Sequence, residues 1–134
     1  MTTTTTDHAL GTLARSEKGL VAPPPMLDGP LGTVADAIAR WSDVIATTHW
    51  YLFDPSQVDG IDFYVGEREL GHIHLDGSIH LATSPSLGDA LIAEGRARPF
   101  RYQRGWVCER VQAIGSDAAI SLFRRNYDWL RHPD

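Results

Sequence analysis

Cysteine, basic charge and long apolar runs are all scarce in this sequence. Its single cysteine, Cys108, excludes an intramolecular disulfide and a zinc site built from cysteines. No stretch approaches the roughly 18 uninterrupted apolar residues of a transmembrane helix. The Thr-rich start at 1–7 lacks the basic and apolar regions of a signal peptide. We therefore expect a cytoplasmic protein with no membrane partner.

Acidic residues outnumber basic ones by 17 to 12, which gives a net charge of −5. Such a chain lacks the overall positive field that nucleic-acid binding normally uses, so nucleic acid is not the expected partner. Five arginines nevertheless lie within 96–110, at positions 96, 98, 101, 104 and 110, with Glu109 as the one acid among them. This segment is either a small anion site or a solvated surface.

The length of 134 residues and the hydrophobic fraction of 43% fit one globular domain. Residues 1–30 are rich in Thr, Gly and Pro, which predicts a flexible tail. Within it, 23–25 should form an extended polyproline segment that is able to pack as a strap. The folded domain is then expected over 31–131.

Hydrophobic periodicity predicts a mixture of helices and short strands. The predicted strands are 49–53, 61–65, 68–75, 78–82 and 105–111, and the predicted helices are 34–47, 86–95 and 116–130. Gly66-Glu67 and Asp76-Gly77 are typical of two-residue hairpin turns. Strands joined by hairpins, with helices packed on one face, make an α+β fold: a two-layer sandwich with an antiparallel meander sheet.

Three of the six histidines, His72, His74 and His80, lie close together in the sequence. Residues two apart on a strand share a face, so His72 and His74 should project together, about 7 Å apart. Two such imidazoles can bind a metal, transfer protons or hold an anionic oxygen. Alternatively, each imidazole bonds a backbone carbonyl or a carboxylate and has only a structural role.

The register of the hairpin decides which histidines share a face. If the turn at 76–77 has two residues, His72 lies opposite Leu81, and His80 lies on the other face from His72 and His74. A metal site with three histidines is then disfavoured unless the turn is one residue longer. The same register puts His72 and His74 on the more apolar face, which we expect the helices to cover.

Glu69 is three positions before His72, so on an ideal strand its side chain points to the face opposite to that of His72 and His74. Gly71 can mark a β-bulge that reorients it. Glu69 is therefore either a surface charge or a carboxylate that positions one of the imidazoles.

A longer pattern contains these residues. Glu69-Leu70-Gly71-His72-Ile73-His74 is followed by Ile79-His80-Leu81, by 87–95, by Gly105-Trp106 and by a helix that ends with Asn126-Tyr127. In this order the motifs resemble the fungal luciferase domain family, which includes the luciferases of luminous mushrooms and many small bacterial proteins. The resemblance covers about 61–130.

The resemblance implies an activity: mushroom luciferases oxidise a hydroxylated pyranone, 3-hydroxyhispidin, with O₂. Such a site needs a base for the enol proton, a dry apolar cavity and donors for the developing oxyanion. His72 and His74 would then take the enol proton and hold the substrate oxygen, while Glu69 orients an imidazole. The expected partners are a small-molecule substrate and O₂, with neither a metal nor another cofactor.

Four further side chains are candidates for contacting the substrate: His80, Trp106, Phe100 and Tyr102. Trp106 either lines a pocket or fills the core. The chain departs from the family at Phe100, where the family often has a histidine.

Two other hypotheses stay open. The order of elements is also similar to that of small YjbR-like α+β domains, which makes a non-catalytic module for a small molecule or a nucleic acid the alternative function. Aromatic residues interleaved with the arginines favour a nucleic-acid module, and the net charge opposes it. The other hypothesis is a metal site formed by His72, His74 and a third ligand.

Overall fold

The structure is a computed structural model that describes residues 22–133. Its elements are, in chain order, α1 (Gly29–Ala39), β1 (Val44–Tyr51), β2 (Asp54–Val65), β3 (Arg68–His74), β4 (Ser78–Leu81), α2 (Pro85–Ala93), β5 (Arg98–Pro99), β6 (Val107–Arg110), α3 (Val111–Ile114) and α4 (Ser116–Arg131). In this range the six strands form one sheet in the order β1-β2-β3-β4-β6-β5. All neighbouring pairs are antiparallel.

Helices cover one face of this sheet. Phe123 of α4 meets Phe63 of β2 with ring centroids 5.8 Å apart. The fully buried apolar side chains between the two layers include Val34, Ile38, Phe63, Leu70, Ile73, Ile79, Leu81, Leu91, Val107 and Phe123. The predicted fold class is confirmed: an antiparallel sheet with helices packed against it, an α+β architecture.

A flexible tail is predicted at 1–30, and its residues 1–21 lie outside the described part of the chain. Residues 22–28 form neither helix nor strand, and α1 begins at Gly29. None of the helices in the described range has the length and apolar composition that crossing a bilayer requires.

The proline segment contacts β1, the outer strand of the sheet. Thr48 donates its backbone N–H to the carbonyl oxygen of Ala22 (3.1 Å) and its hydroxyl to the carbonyl oxygen of Pro23 (2.6 Å). The backbone N–H and the hydroxyl of Thr48 thus both bond to the segment that precedes α1.

Helix α1 starts and ends earlier than predicted. Pro30 lies in its first turn, where a missing N–H costs little. The helix ends at Ala39 because the β-branched residues from Val44 onward pair with β2 instead. The predicted helix at 34–47 is therefore wrong in its second half.

Three further differences concern short or irregular segments. β2 begins at Asp54, inside the predicted loop, and its first part pairs with the end of β1. β5 has two residues and α3 has four, and neither was predicted. Elements this short do not show a hydrophobic period, which is the signal on which the prediction depends.

The loop between β3 and β4 has three residues, 75–77, because His72 pairs with His80. Gly77 has a φ of +94°, and its N–H donates to the carbonyl oxygen of His74 (3.0 Å). This is the arrangement of a three-residue hairpin loop with glycine at the left-handed position. The predicted two-residue turn is wrong, and the longer turn places His80 on the same face as His72.

A bulge in β3 interrupts its pairing with β2. Asp62 pairs with His72, but Tyr64 pairs with Glu69, so β3 has one residue more than β2 between these two pairs. The extra residue falls at 70–71, where the sequence suggested a bulge. Because a bulge shifts the alternation of side chains by one, Glu69 shares a face with His72.

Asn126 of α4 holds the bulged segment in place. Its buried side-chain Nδ2 donates to the carbonyl oxygens of Leu70 (2.9 Å) and Ala82 (3.2 Å). The helix layer thus contacts the backbone at the point where β3 changes its alternation.

The histidines consequently lie on the sheet face that is opposite to the helices. Ile73, between His72 and His74, is fully buried in the core beneath the helices. The expectation that the helices cover His72 and His74 is therefore wrong. The bulge reverses the facing of 71–74, and the longer loop reverses it again in β4, so Ile79 and Leu81 stay in the core while His72 and His74 join His80 on the open face.

Gly71 should be intolerant of a side chain. A Cβ at this position would lie 2.5 Å from the carbonyl oxygen of His80 and 3.0 Å from the Phe123 ring. We expect Gly71→Ala to lower the free energy of unfolding by about 3 kcal/mol, because a backbone clash adds to the strained φ. Urea denaturation measures this.

Gly66→Ala is the matched control. Gly66 also has a positive φ, of +63°, but apart from Gly66 and its two chain neighbours no atom of residues 22–133 lies within 4 Å of the point that a Cβ would occupy there. This variant should lose only about 1 kcal/mol. Equal losses in the two variants would contradict the packing argument for Gly71.

Candidate active site

A cavity of about 570 Å³ opens on the sheet face that is opposite to the helices. Its volume lies within the range of roughly 300–1,000 Å³ that is usual for small-molecule sites. Most of its wall is aromatic or aliphatic, and imidazoles and one carboxylate supply polar groups. The lining residues are Thr47, Thr48, His49, Trp50, Tyr51, Leu52, Pro55, Asp62, Tyr64, His72, His74, His80, Phe100 and Tyr102.

Three of the lining imidazoles have the same type of partner, a carboxylate oxygen at hydrogen-bond distance from Nδ1. The pairs are His72 with Glu69 (2.8 Å), His74 with Asp59 (2.8 Å) and His49 with Asp62 (2.7 Å). A carboxylate that accepts a hydrogen bond fixes the proton on Nδ1. In each ring the other nitrogen, Nε2, then carries the lone pair.

Two of the three carboxylates that perform this role are shielded from solvent, whereas the side chain of Asp59 is 28% exposed. Glu69 is 3% exposed and Asp62 5% exposed, and Asp62 Oδ1 also lies 3.7 Å from the Nδ1 of His72. Buried carboxylates need strong hydrogen-bond donors, and the imidazole N–H groups supply them. The pairs therefore fix the ring orientations as well as the tautomers.

Two of the Nε2 atoms converge on a third ring. The Nε2 of His72 lies 2.9 Å from the Nδ1 of His80, and the Nε2 of His74 lies 3.2 Å from the same atom. The three ring planes are steeply inclined to one another, at 82° for His72 and His74, 77° for His72 and His80, and 65° for His74 and His80. His72, His74 and His80 thus form one compact cluster.

His49 completes the group of four imidazoles around the cavity. Its ring stacks on that of His72, with centroids 4.2 Å apart and an interplanar angle of 11°, and it meets His74 edge-on at 4.9 Å. Across the sheet, His49 pairs with Gly60, which in turn pairs with His74.

Burial keeps part of this cluster neutral. Desolvation, reinforced by the nearby His72 and His74, lowers the pKa of His80 to about 3. Desolvation and His72 also lower the pKa of His74, although the hydrogen bond to Asp59 opposes the shift. Both rings therefore present unprotonated nitrogens near neutral pH.

The aromatic candidates occupy different positions. Phe100 covers His80, with ring centroids 4.1 Å apart, and Tyr102 lies at the cavity wall with 76% of its surface exposed. Trp106 is 8% exposed and lies 6.0 Å from the His72 ring, beside the cluster and outside the cavity lining. The structure thus brings His80, Phe100 and Tyr102 to the cavity wall.

The arginine-rich segment does not form one open basic surface. Arg96 contacts Glu94 (3.2 Å), Arg98 contacts Glu109 (3.5 Å) and Arg110 donates to the carbonyl oxygen of Asp76 (3.3 Å). Arg101 lies over the Tyr102 ring at 5.1 Å. Three of the five arginines are thus already engaged with oxygen atoms of the protein.

Sequence reasoning missed His49, Asp59 and Asp62. The signal that could have found them is the pairing of β1 with β2, which brings His49 and Asp62 to the face that carries the other histidines. Local patterns do not reveal that pairing, because the helix predicted at 34–47 overlaps the first half of β1 and Asp59 falls in a predicted loop.

Two overlapping sets of side chains have the spacing that a metal ion needs. Ligand atoms of His49, His72 and His74 all lie within 4.8 Å of one another, and so do those of Asp62, Glu69 and His72. The site can therefore transfer protons, hold an anionic oxygen or coordinate a cation.

Comparison with known proteins adds one finding. The protein-family model described as "Luciferase domain" matches residues 67–124, which include Glu69, His72, His74 and His80. No curated protein and no solved structure matches the chain significantly. The resemblance that the motif predicts is thus confirmed: over 67–124 the chain is similar to the luciferase domain family.

Proposed function

We propose that the chain is a luciferase-like enzyme that binds a planar, enolisable small molecule, a pyranone or a phenol, and promotes its reaction with O₂. The observation that supports this most directly is the cavity of about 570 Å³, whose apolar wall also carries imidazole nitrogens of fixed tautomer. Aromatic side chains favour a flat ligand, and imidazoles favour one with an acidic hydroxyl.

The first step in this proposal is removal of the enol proton. An Nε2 atom with a lone pair accepts the proton, and the carboxylate at Nδ1 stabilises the imidazolium that forms, as Glu69 can for His72. The Nε2–H that forms on that ring then donates to the oxygen that has become negative. A planar ligand that lies against the apolar wall displaces water there, which strengthens these interactions.

The second step is the reaction of the enolate with O₂. The enolate carbon supplies the electron pair of the new C–O bond, so the substrate is oxidised and O₂ is reduced to the level of a peroxide. The imidazolium returns its proton to the terminal oxygen, which gives a hydroperoxide and restores the neutral ring. The substrate and O₂ supply all the atoms and electrons of this step, so no further oxidant or reductant is needed.

Replacing both central histidines should stop the reaction without unfolding the protein. We expect His72→Gln/His74→Gln to lower kcat about 100- to 10,000-fold, because glutamine can hold an oxygen but cannot take the proton. The assay follows O₂ consumption and absorbance with 3-hydroxyhispidin and with simple phenols. Circular dichroism checks the fold.

His132→Gln is the control, since His132 is exposed at the end of α4 and does not line the cavity. Turnover that persists in the double variant would contradict the proposed role of the pair. Wild-type protein that binds these compounds but consumes no O₂ would favour the non-catalytic binding module instead.

Tyr102 should contribute to binding and not to chemistry. It lines the cavity but is largely exposed, so Tyr102→Ser should raise KM about 2- to 10-fold through the loss of one aromatic contact, with kcat and Tm unchanged. Steady-state kinetics measures both parameters. Phe53→Ser is the control, because Phe53 is 81% exposed and outside the lining, and an equal effect there would contradict the argument.

A further inference from the structure

Exposed apolar side chains gather around the mouth of the cavity. Seven large ones are exposed within residues 22–133, and four of these lie in two loops that both contribute to the cavity lining. One is the tip of the β1–β2 hairpin, 51–54, and the other is the β5–β6 loop, 100–106; together they are the rim loops. The four exposed side chains are Tyr51 (40% exposed), Leu52 (82%), Phe53 (81%) and Tyr102 (76%).

The rim loops come from opposite margins of the sheet. β1 and β5 are the outer strands, whereas β3 and β4, which carry the histidine cluster, lie between them. The N–H of Phe100 donates to the carbonyl oxygen of Trp106 (3.1 Å), which closes the base of the 100–106 loop. The cavity therefore opens between two apolar loops. Exposed apolar patches of this kind usually mark an interaction surface.

The two rim loops carry opposite charges. The tip at 51–54 contains Asp54 and no basic residue, whereas the loop at 100–106 contains Arg101 and Arg104 and no acidic residue. The Oδ1 of Asp54 accepts hydrogen bonds from the backbone N–H (3.1 Å) and the hydroxyl (2.6 Å) of Ser56, which hold the carboxylate in place. Within residues 22–133 the guanidinium groups of Arg101 and Arg104 have no carboxylate partner.

These features make the mouth of the cavity complementary to itself. An isologous dimer brings the same surface of two copies together across a two-fold axis. When that axis runs across the mouth between the rim loops, the 51–54 tip of each copy meets the 100–106 loop of the other. Apolar side chains then contact one another, and the acid of each copy faces the two bases of the other. We propose that two copies of this chain associate through their rim loops, with their cavity mouths facing each other.

The charges favour a second copy over a lipid bilayer or an unrelated protein. Anionic headgroups repel a chain with a net charge of −5, and Asp54 lies at the tip that would have to enter the bilayer. An unrelated partner gives no reason for an acid and two bases to lie on opposite sides of one mouth. A two-fold dimer uses both sides at once, and each contact forms twice.

The association should be reversible and of moderate affinity. Loops alone bury less surface than the interfaces of permanent dimers, so we expect a dissociation constant of about 1–100 μM. Added salt should raise this constant, because it screens the charges that the loops bring together. Kinetic assays at enzyme concentrations far below this range follow the monomer, so the Tyr102 and Phe53 variants described above report on a single cavity there.

The test is sedimentation velocity of the full-length protein over a concentration series, with two charge-reversal variants. Asp54→Lys places like charges together in both contacts of the dimer, and so does Arg101→Glu/Arg104→Glu. Each variant alone should associate about 10-fold or more weakly than the wild type. An equimolar mixture of the two has opposite charges in both contacts again. The mixture should therefore form dimers about as strongly as the wild type.

The apolar contacts have a test of their own. Phe53→Ser should weaken association about 10-fold, because it removes an exposed ring from each contact. Met26→Ser is the matched control: Met26 is 96% exposed but belongs to neither rim loop, so this variant should associate as the wild type does. Thermal unfolding checks the fold of every variant. If a charge variant does not fold, the comparison of Phe53→Ser with Met26→Ser decides.

Three results would overturn the inference: a wild type that stays monomeric up to about 1 mM, a mixture of folded charge variants that stays monomeric, or equal losses in Phe53→Ser and Met26→Ser. Wild-type monomers that bind vesicles of phosphatidylcholine and phosphatidylserine, in a way that Phe53→Ser abolishes, would assign the rim loops to a lipid surface instead.

These measurements need no substrate and are therefore independent of the proposed function. A dimer that turns over no pyranone or phenol would support this inference and contradict that function. An active protein that stays monomeric would do the reverse.

Discussion

Hydrogen bonds between buried carboxylates and imidazoles are the interaction on which the candidate site depends. A carboxylate inside a protein is costly unless a strong donor satisfies it, and a ring N–H provides that donor while losing its own freedom to rotate. The pair of Glu69 and His72 meets both needs at once, with both residues less than a tenth exposed. Removing either partner would deprive the other of this 2.8 Å hydrogen bond, so the site and the local stability of this sheet face are linked.

The bulge at 70–71 makes that pairing possible. Without it, strand alternation would direct Glu69 and His72 to opposite faces. The bulge is fixed from the other side of the sheet by Asn126, which bonds the backbone carbonyls there, and by the absence of a side chain at Gly71. The helices therefore do not contact the cavity, but they determine which side chains reach it.

Much of this arrangement could be predicted from the sequence, and the failures have physical causes. Turn-forming residues predict the β2–β3 turn at 66–67, and the alternation of side chains along a strand predicts that His72 and His74 share a face. Both are local features, and the fold class follows from the order of such features. His72 and His74 were predicted on the wrong face because the bulge reverses the side chains that follow it, and the extra loop residue reverses them back only from β4 onward. The carboxylate partners were missed because Asp59 and Asp62 reach the site only through pairing between distant strands, which no local pattern records.

The proline segment beside Thr48 affects whether another chain can pair with the outer strand β1. An outer strand normally exposes a ladder of amide groups onto which another chain can add. Here the preceding stretch occupies part of β1, and prolines at 23–25 have no N–H with which to continue that ladder outward. At the opposite margin β5 is only two residues long and ends in Pro99. Addition of further strands from another copy is thus hindered at both margins of the sheet.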